Sequence, residues 1–207
     1  MNEIKQGLKN KKILELPFIV MILLIVCIIL FTSGCLGMIN RGSPLVTGEW
    51  DGDVFTNEWT NITFELPQGF HIVSTDEFDM GRSEVYDFLI RKDDDMEVSI
   101  ALFYIDVTFG EQAEHTAEDY LNIMREQLAH SRHTFTFADE FEHETIAGKE
   151  YAVMRSVVAV NADPADTFLQ DGYAHRFVNT MIVILTTYAE DTRVYIDEFI
   201  SSIEQVN

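Results

Sequence analysis

The first 35 residues constrain this chain more than anything that follows. Lys5, Lys9, Lys11 and Lys12 make a positive head, and from Leu16 to Phe31 every residue is apolar, with Pro17 the one interruption. Thr32, Ser33 and Gly34 then lead into Cys35. A positive flank, an apolar run and a small-residue site are the anatomy of a secretory signal. Such a segment cannot join a water-exposed fold, so the globular part has to be built from what lies downstream.

Phe31-Thr32-Ser33-Gly34-Cys35 resembles the lipobox of bacterial lipoproteins. The resemblance implies cleavage before Cys35 and attachment of diacylglycerol to its sulfur. The alternative is a retained transmembrane helix, which needs about 20 apolar residues and roughly 17 at least. The run from Leu16 to Phe31 has 16, slightly more if Thr32 to Leu36 are counted. Either reading puts the rest of the chain outside the cytoplasmic membrane, because the lysines hold the amino end inside. The expected partner is therefore the lipid bilayer, reached through diacylglyceryl-Cys35, and the expected location is the extracytoplasmic face of the cell membrane.

Cysteine usage agrees with this. Cys27 would leave with the signal, and Cys35 would be the lone cysteine of the mature chain. No disulfide or cysteine-based metal site is then expected, although an exported protein could use disulfides. The whole chain of 207 residues carries 14 basic and 35 acidic side chains. Without residues 1–34, which hold four lysines and two glutamates, 10 basic and 33 acidic residues remain, a formal charge of −23. Charge of that sign excludes nucleic acid as a partner, since phosphate binding needs a basic face.

The expected division is a signal peptide over 1–34, a lipidated Cys35 and flexible tether over 35–48, and one α+β domain over 49–207. Residues 36–48 carry Gly, Ser and Pro without any period, and 13 flexible residues reach about 20 Å. Beyond them short strands alternate with helices. Val54 to Thr56 and Ile62 to Leu66 read as extended, Pro67-Gln68-Gly69 as a turn, and Phe70 to Val73 as a further strand. Ser74-Thr75-Asp76-Glu77 has capping-box spacing and predicts a short helix. Strands follow over Glu84 to Ile90 and Met96 to Asp106, with a polar turn from Lys92 to Asp95.

Thr116 is the expected N-cap of the main helix, with Glu118 and Asp119 in its first turn and an apolar face of Tyr120, Leu121, Met124 and Leu128. His133 to Phe137, Phe141 to Thr145 and Glu150 to Val160 read as strands, the last two joined by a turn at Ala147-Gly148. A loop covers 161–166. Tyr173 to Phe177 and Thr180 to Tyr188 make a hairpin around Val178-Asn179, and a closing helix from about Asp191 buries Ile196, Phe199, Ile200 and Ile203. The connections are too short for parallel crossovers, so the sheet should be antiparallel.

This order, together with particular residues, resembles small exported lipoproteins of Gram-positive bacteria with a PsbP/Mog1-like domain. The residues are Gly48-Glu49-Trp50, Val54-Phe55-Thr56-Asn57, Ile62-Thr63-Phe64-Glu65-Leu66-Pro67-Gln68-Gly69-Phe70, Ile146-Ala147-Gly148-Lys149-Glu150-Tyr151, Tyr173-Ala174-His175-Arg176 and Phe199-Ile200-Ser201-Ser202-Ile203. The resemblance implies an antiparallel sheet flanked by helices and a non-enzymatic role, and it transfers no site residue.

Candidate chemistry is sparse. His130, His133 and His143, with Glu140 and Glu142, have residue types that can hold zinc. His130 and His133 also straddle the expected helix end, where imidazolium complements the dipole. His143-Glu144 lacks the second histidine of a metalloprotease helix. Asp93-Asp94-Asp95 with Glu97, and Asp51 with Asp53, could attract calcium. An EF-hand loop wants Gly sixth and Glu twelfth, and those places hold Val98 and Tyr104 or Thr56 and Ile62.

Trp50 and Trp59 could stack on a ligand or pack in a core. Asn61-Ile62-Thr63 fits a glycosylation pattern that a bacterial export signal makes idle. No nucleophile elbow, phosphate loop or dinucleotide fingerprint occurs. The expectation is a non-catalytic envelope module without cofactor, acting on an unidentified envelope protein or ligand. A divalent-cation-binding surface is the alternative, and a hydrolase without motif the third reading.

Overall fold

Alternation of apolar and polar side chains makes a half-buried strand, and this chain is mostly that. The computed structural model describes residues 45–74, 84–93, 98–108, 113–160 and 167–206. The leader, Cys35, the helix expected after Ser74, the acids at 94–97 and the loop at 161–166 lie outside those residues. The described strands are β1 Glu49–Asp51, β2 Val54–Asn57, β3 Ile62–Glu65, β4 Phe70–Ile72, β5 Glu84–Lys92 and β6 Ser99–Asp106. They continue as β7 Thr134–Phe137, β8 Glu142–Ile146, β9 Lys149–Ala159, β10 Thr167–Phe177 and β11 Thr180–Tyr188, with helices α1 Ala117–Ala129 and α2 Arg193–Ser202.

Strands β1-β2-β3 form a small meander, and the others an eight-stranded sheet in the order β4-β5-β6-β11-β10-β9-β7, with β8 also on β9. Every pairing is antiparallel. The α+β expectation, an antiparallel sheet flanked by helices, is what the chain forms.

Period two in the long strands divides the core. Phe103, Ala152, Met154, Ala174, Met181 and Val183 face Leu121, Met124 and Leu128 of α1. On the other face Phe88, Ile90, Leu102, Tyr104, Val153, Tyr173 and Ile184 meet Phe55, Ile62 and Phe64 of the small sheet and Ile196 and Phe199 of α2. Burying a large apolar side chain contributes roughly 1.5–3 kcal/mol. Elements therefore pack on both faces of the large sheet, while its β8–β9 end keeps Val157 and Glu142 exposed. The small sheet turns exposed Glu49, Asp51 and Glu65 outward.

Local chemistry sets the ends. Thr116 caps α1 in a reciprocal box: its Oγ1 accepts from Asp119 N while Asp119 accepts from Thr116 N at 2.9 Å. Residue 148 turns between β8 and β9 at φ +69°, which glycine adopts without strain. After α2, Glu204 and Thr63 exchange two backbone hydrogen bonds of 2.9 and 2.8 Å, fastening the carboxyl end to β3.

Three differences from the sequence expectation have local causes. Strand β1 was not expected because three residues show no period. Strand β10 begins at Thr167 rather than Tyr173, since Asp171-Gly172 reads as a break yet runs straight through the sheet. Ile200 is half-buried rather than core, as α2 leans on Ile196 and Phe199. Among the described residues no helix is long and apolar enough to cross a membrane.

Candidate functional site

Two polar networks are built onto the large sheet, the first of them where the small sheet meets it. The first centres on Asp87. Strand β5 slips register against β6 between Tyr86 and Phe88, so Asp87 is the extra residue of a β-bulge, the device that re-aims a side chain. Its Oδ1 accepts from Gly48 N at 2.6 Å, and its Oδ2 accepts from Asn57 Nδ2 at 3.0 Å and from the Tyr104 hydroxyl. Asn57, only 1% exposed, also donates to Val46 O at 2.9 Å and accepts from Thr60 N at 3.0 Å. Burial pushes the Asp87 carboxyl above the ordinary range, while its bonds from Tyr104, Asn57 and Gly48 oppose the shift. Burial, and then the charge of Asp87, drives the Tyr104 phenol well above its ordinary value.

The second network centres on Arg155. Its guanidinium donates to Asp171 Oδ2 at 2.5 Å, Glu144 Oε1 at 2.6 Å and Glu142 Oε2 at 2.9 Å. Tyr188 also donates to Asp171 Oδ2, at 2.8 Å. Burial raises the Asp171 carboxyl, against the pull of Tyr188 and Arg155. Both acids thus act as acceptors for donors already in place. Each network sets a tyrosine hydroxyl on a carboxylate, but Tyr104 and Tyr188 are buried and their phenols are pushed up, the opposite of an activated nucleophile.

The sequence candidates fall elsewhere. His130 is the C-cap of α1, while His143 on β8 lies 3.2 Å from Glu118 in the first turn of the same helix. A 13-residue helix is about 20 Å long, so His130 and His143 mark its opposite ends. His133 is 7% exposed just before β7, its imidazole pushed down by burial and then by Arg132. Among the described residues no three His, Cys, Asp or Glu side chains are grouped to hold a metal ion.

Trp50 packs on Phe55, Phe64 and Phe88, with ring centroids at 5.2, 5.5 and 6.1 Å. Trp59 sits edge-on to Tyr104 and Phe177, at 5.5 Å from each. Both indoles are partly buried, packed against the core. His175, half-buried, is 2.8 Å from Glu150 O.

Sequence reading passed over Asp87, Asn57, Tyr104, Arg155 and Asp171. A signal was present for two of them. Asp87 is an acid flanked by Tyr86 and Phe88 inside an apolar strand, and Asp171 stands beside a glycine inside another. A charge there needs a buried partner, but no spacing rule says which residue supplies it.

With this geometry the chain matches the solution structure of cyanobacterial PsbP (CyanoP) from Synechocystis sp. PCC 6803. The TM-score is 0.54 at 14% identity, over 84% of this chain and 99% of that one. The domain is therefore PsbP-like in fold. A protein of Bacteroides thetaiotaomicron aligns at TM-score 0.47 and 11% identity over 75% of this chain and 49% of its own, too distant for a shared fold to follow. No family model and no curated protein matches the sequence.

Proposed function

We propose that this chain is a lipid-anchored module on the extracytoplasmic face of the cell membrane, which binds or supports another envelope component and performs no chemistry of its own. The observation that carries the non-catalytic reading is the saturation of Asp87 and Asp171 by fixed partners within a PsbP-like body. The leader ending at Cys35 supports the anchor. Two acyl chains at about 0.8 kcal/mol per buried methylene give stable attachment. Net charge of −23 repels the body from anionic lipid, so the domain stands off the surface.

Replacing Cys35 tests the anchor. Cys35→Ser should release the protein from the membrane fraction or leave an unprocessed precursor. An unchanged membrane fraction, with an intact amino terminus by mass spectrometry, would discard lipidation. Crosslinking in intact cells tests the accessory role: capture of one envelope protein by the wild type supports it, and labelling in proportion to abundance opposes it.

A further inference from the structure

The residues just before β1 are not merely a lead-in. Leu45 packs against the core cluster, Val46 O accepts from Asn57, and Gly48 N donates to Asp87. None of these contacts belongs to a strand ladder; each links arm to core through a side chain. Gly48 lies so close that a Cβ there would stand 2.4 Å from Phe55 Cζ and 2.6 Å from Thr56 O. The next element, β1, is held by three register pairs with β2. A pull from upstream therefore meets the side-chain contacts first.

We propose that the Asp87 carboxyl is a latch that seats residues 45–48 on the core and keeps them seated through mild acid, so that load from upstream falls on Gly48 and not on β1. The hydroxyl of Tyr104 makes the latch tolerant. A phenol both donates and accepts. When Asp87 takes a proton from solvent on Oδ2, the new O–H donates to the Tyr104 oxygen, the phenol's own hydrogen turns from Oδ2 to the Thr60 hydroxyl beside it, and Oδ1 still accepts from Gly48 N. Asn57 keeps its bond to Val46 O.

Among the described residues the titratable group facing Asp87 is Tyr104 from β6, with Tyr151 of β9 behind it. The arm and β2 present the uncharged Gly48 amide and Asn57. Burial raises the carboxyl, and the bonds from Tyr104, Asn57 and the arm's own Gly48 amide lower it. Oδ1 can accept from Gly48 N whether or not Oδ2 carries a proton, so the arm stays seated in either charge state. The inference concerns the arm itself and holds whether the upstream segment is cleaved and lipidated or retained.

Hydrogen–deuterium exchange on the full chain in detergent micelles tests it, at pH 7 and pH 5 with intrinsic rates corrected. Peptides over residues 45–50 should show protection at both values. Asp87→Ala should cut that protection about tenfold while α1 and β9 keep theirs. Unchanged arm protection in Asp87→Ala, or its loss in the wild type at pH 5 with β9 intact, would overturn the latch. If Asp87→Ala loosens the whole domain, Asp87→Asn decides, since its Oδ1 still accepts from Gly48 N and only the charge is lost. Arm protection kept at both pH values supports the proposal; arm protection lost, alone or with the rest, refutes it.

Discussion

Arg155 and Asp171 are register partners on β9 and β10, and the guanidinium donates to a carboxylate that is 2% exposed. The pair bridges solvent and core, because Glu142 and Glu144 take two further donors of the guanidinium at the exposed rim. Arg155→Ala should cost about 3–5 kcal/mol, the usual result of stranding a buried charge. Adding Asp171→Asn should recover much of the loss, since the amide still accepts from Tyr188. Denaturant midpoints of the single and double variants measure both effects.

The same pair predicts a pH dependence. The Asp171 carboxyl is raised by burial, so the folded protein binds its proton more tightly than the unfolded chain does. That contribution favours folding at low pH and is lost as pH rises through the raised value. Removing Arg155 raises the carboxyl further. The destabilisation by Arg155→Ala should therefore shrink between pH 7 and pH 5, read as converging midpoints.

Thr116→Ala should weaken α1 by about 1 kcal/mol through loss of the cap. Asp119 is held below the ordinary carboxylate range by its bonds from the Thr116 backbone and side chain. A depressed carboxyl stabilises above its unfolded pKa and loses that effect as pH falls through the folded value. The penalty of Thr116→Ala should accordingly be larger at pH 7 than near pH 3, by thermal unfolding at both.

Val178 occupies the turn between β10 and β11 at φ +55° and is 72% exposed. A β-branched side chain is strained there, and strain of this kind is of order 1–3 kcal/mol. Val178→Asn should raise the melting temperature by about 2–4 °C for each kcal/mol relieved. A lower melting temperature would show that valine gains more from its surroundings than the backbone loses.

Leu121→Ala probes the helix-covered face. Leu121 is fully buried over Gly172 of β10, and truncation should cost about 2–5 kcal/mol. Equilibrium unfolding checks it; a cost below 1 kcal/mol would mean that α1 settles onto the gap.

Much of this was readable beforehand. Leu121, Met124 and Leu128 recur at helical spacing behind Thr116, and Val178-Asn179 falls between two strong strands, so α1 and the last hairpin declared themselves locally. For Trp50 and the histidines the sequence left two readings open, for a physical reason. An indole or imidazole is chemically versatile in isolation, and only its neighbours decide whether it packs, caps or binds. Trp50 found three phenylalanines, and His130 and His143 found opposite ends of one helix.

What the sequence determined by itself is whatever depends on near neighbours along the chain: the apolar run before Cys35, the acidic balance, strand and helix periods, the cap and the turns. What only the tertiary structure decided is how distant groups are paired. Gly48 meets Asp87 across 39 positions, and Asn57 meets Tyr104 across 47. Register, the β-bulge at Asp87 and the closing of the small sheet over the large one bring them together. Hydrogen bonding depends on fractions of an ångström, and no local pattern carries that information.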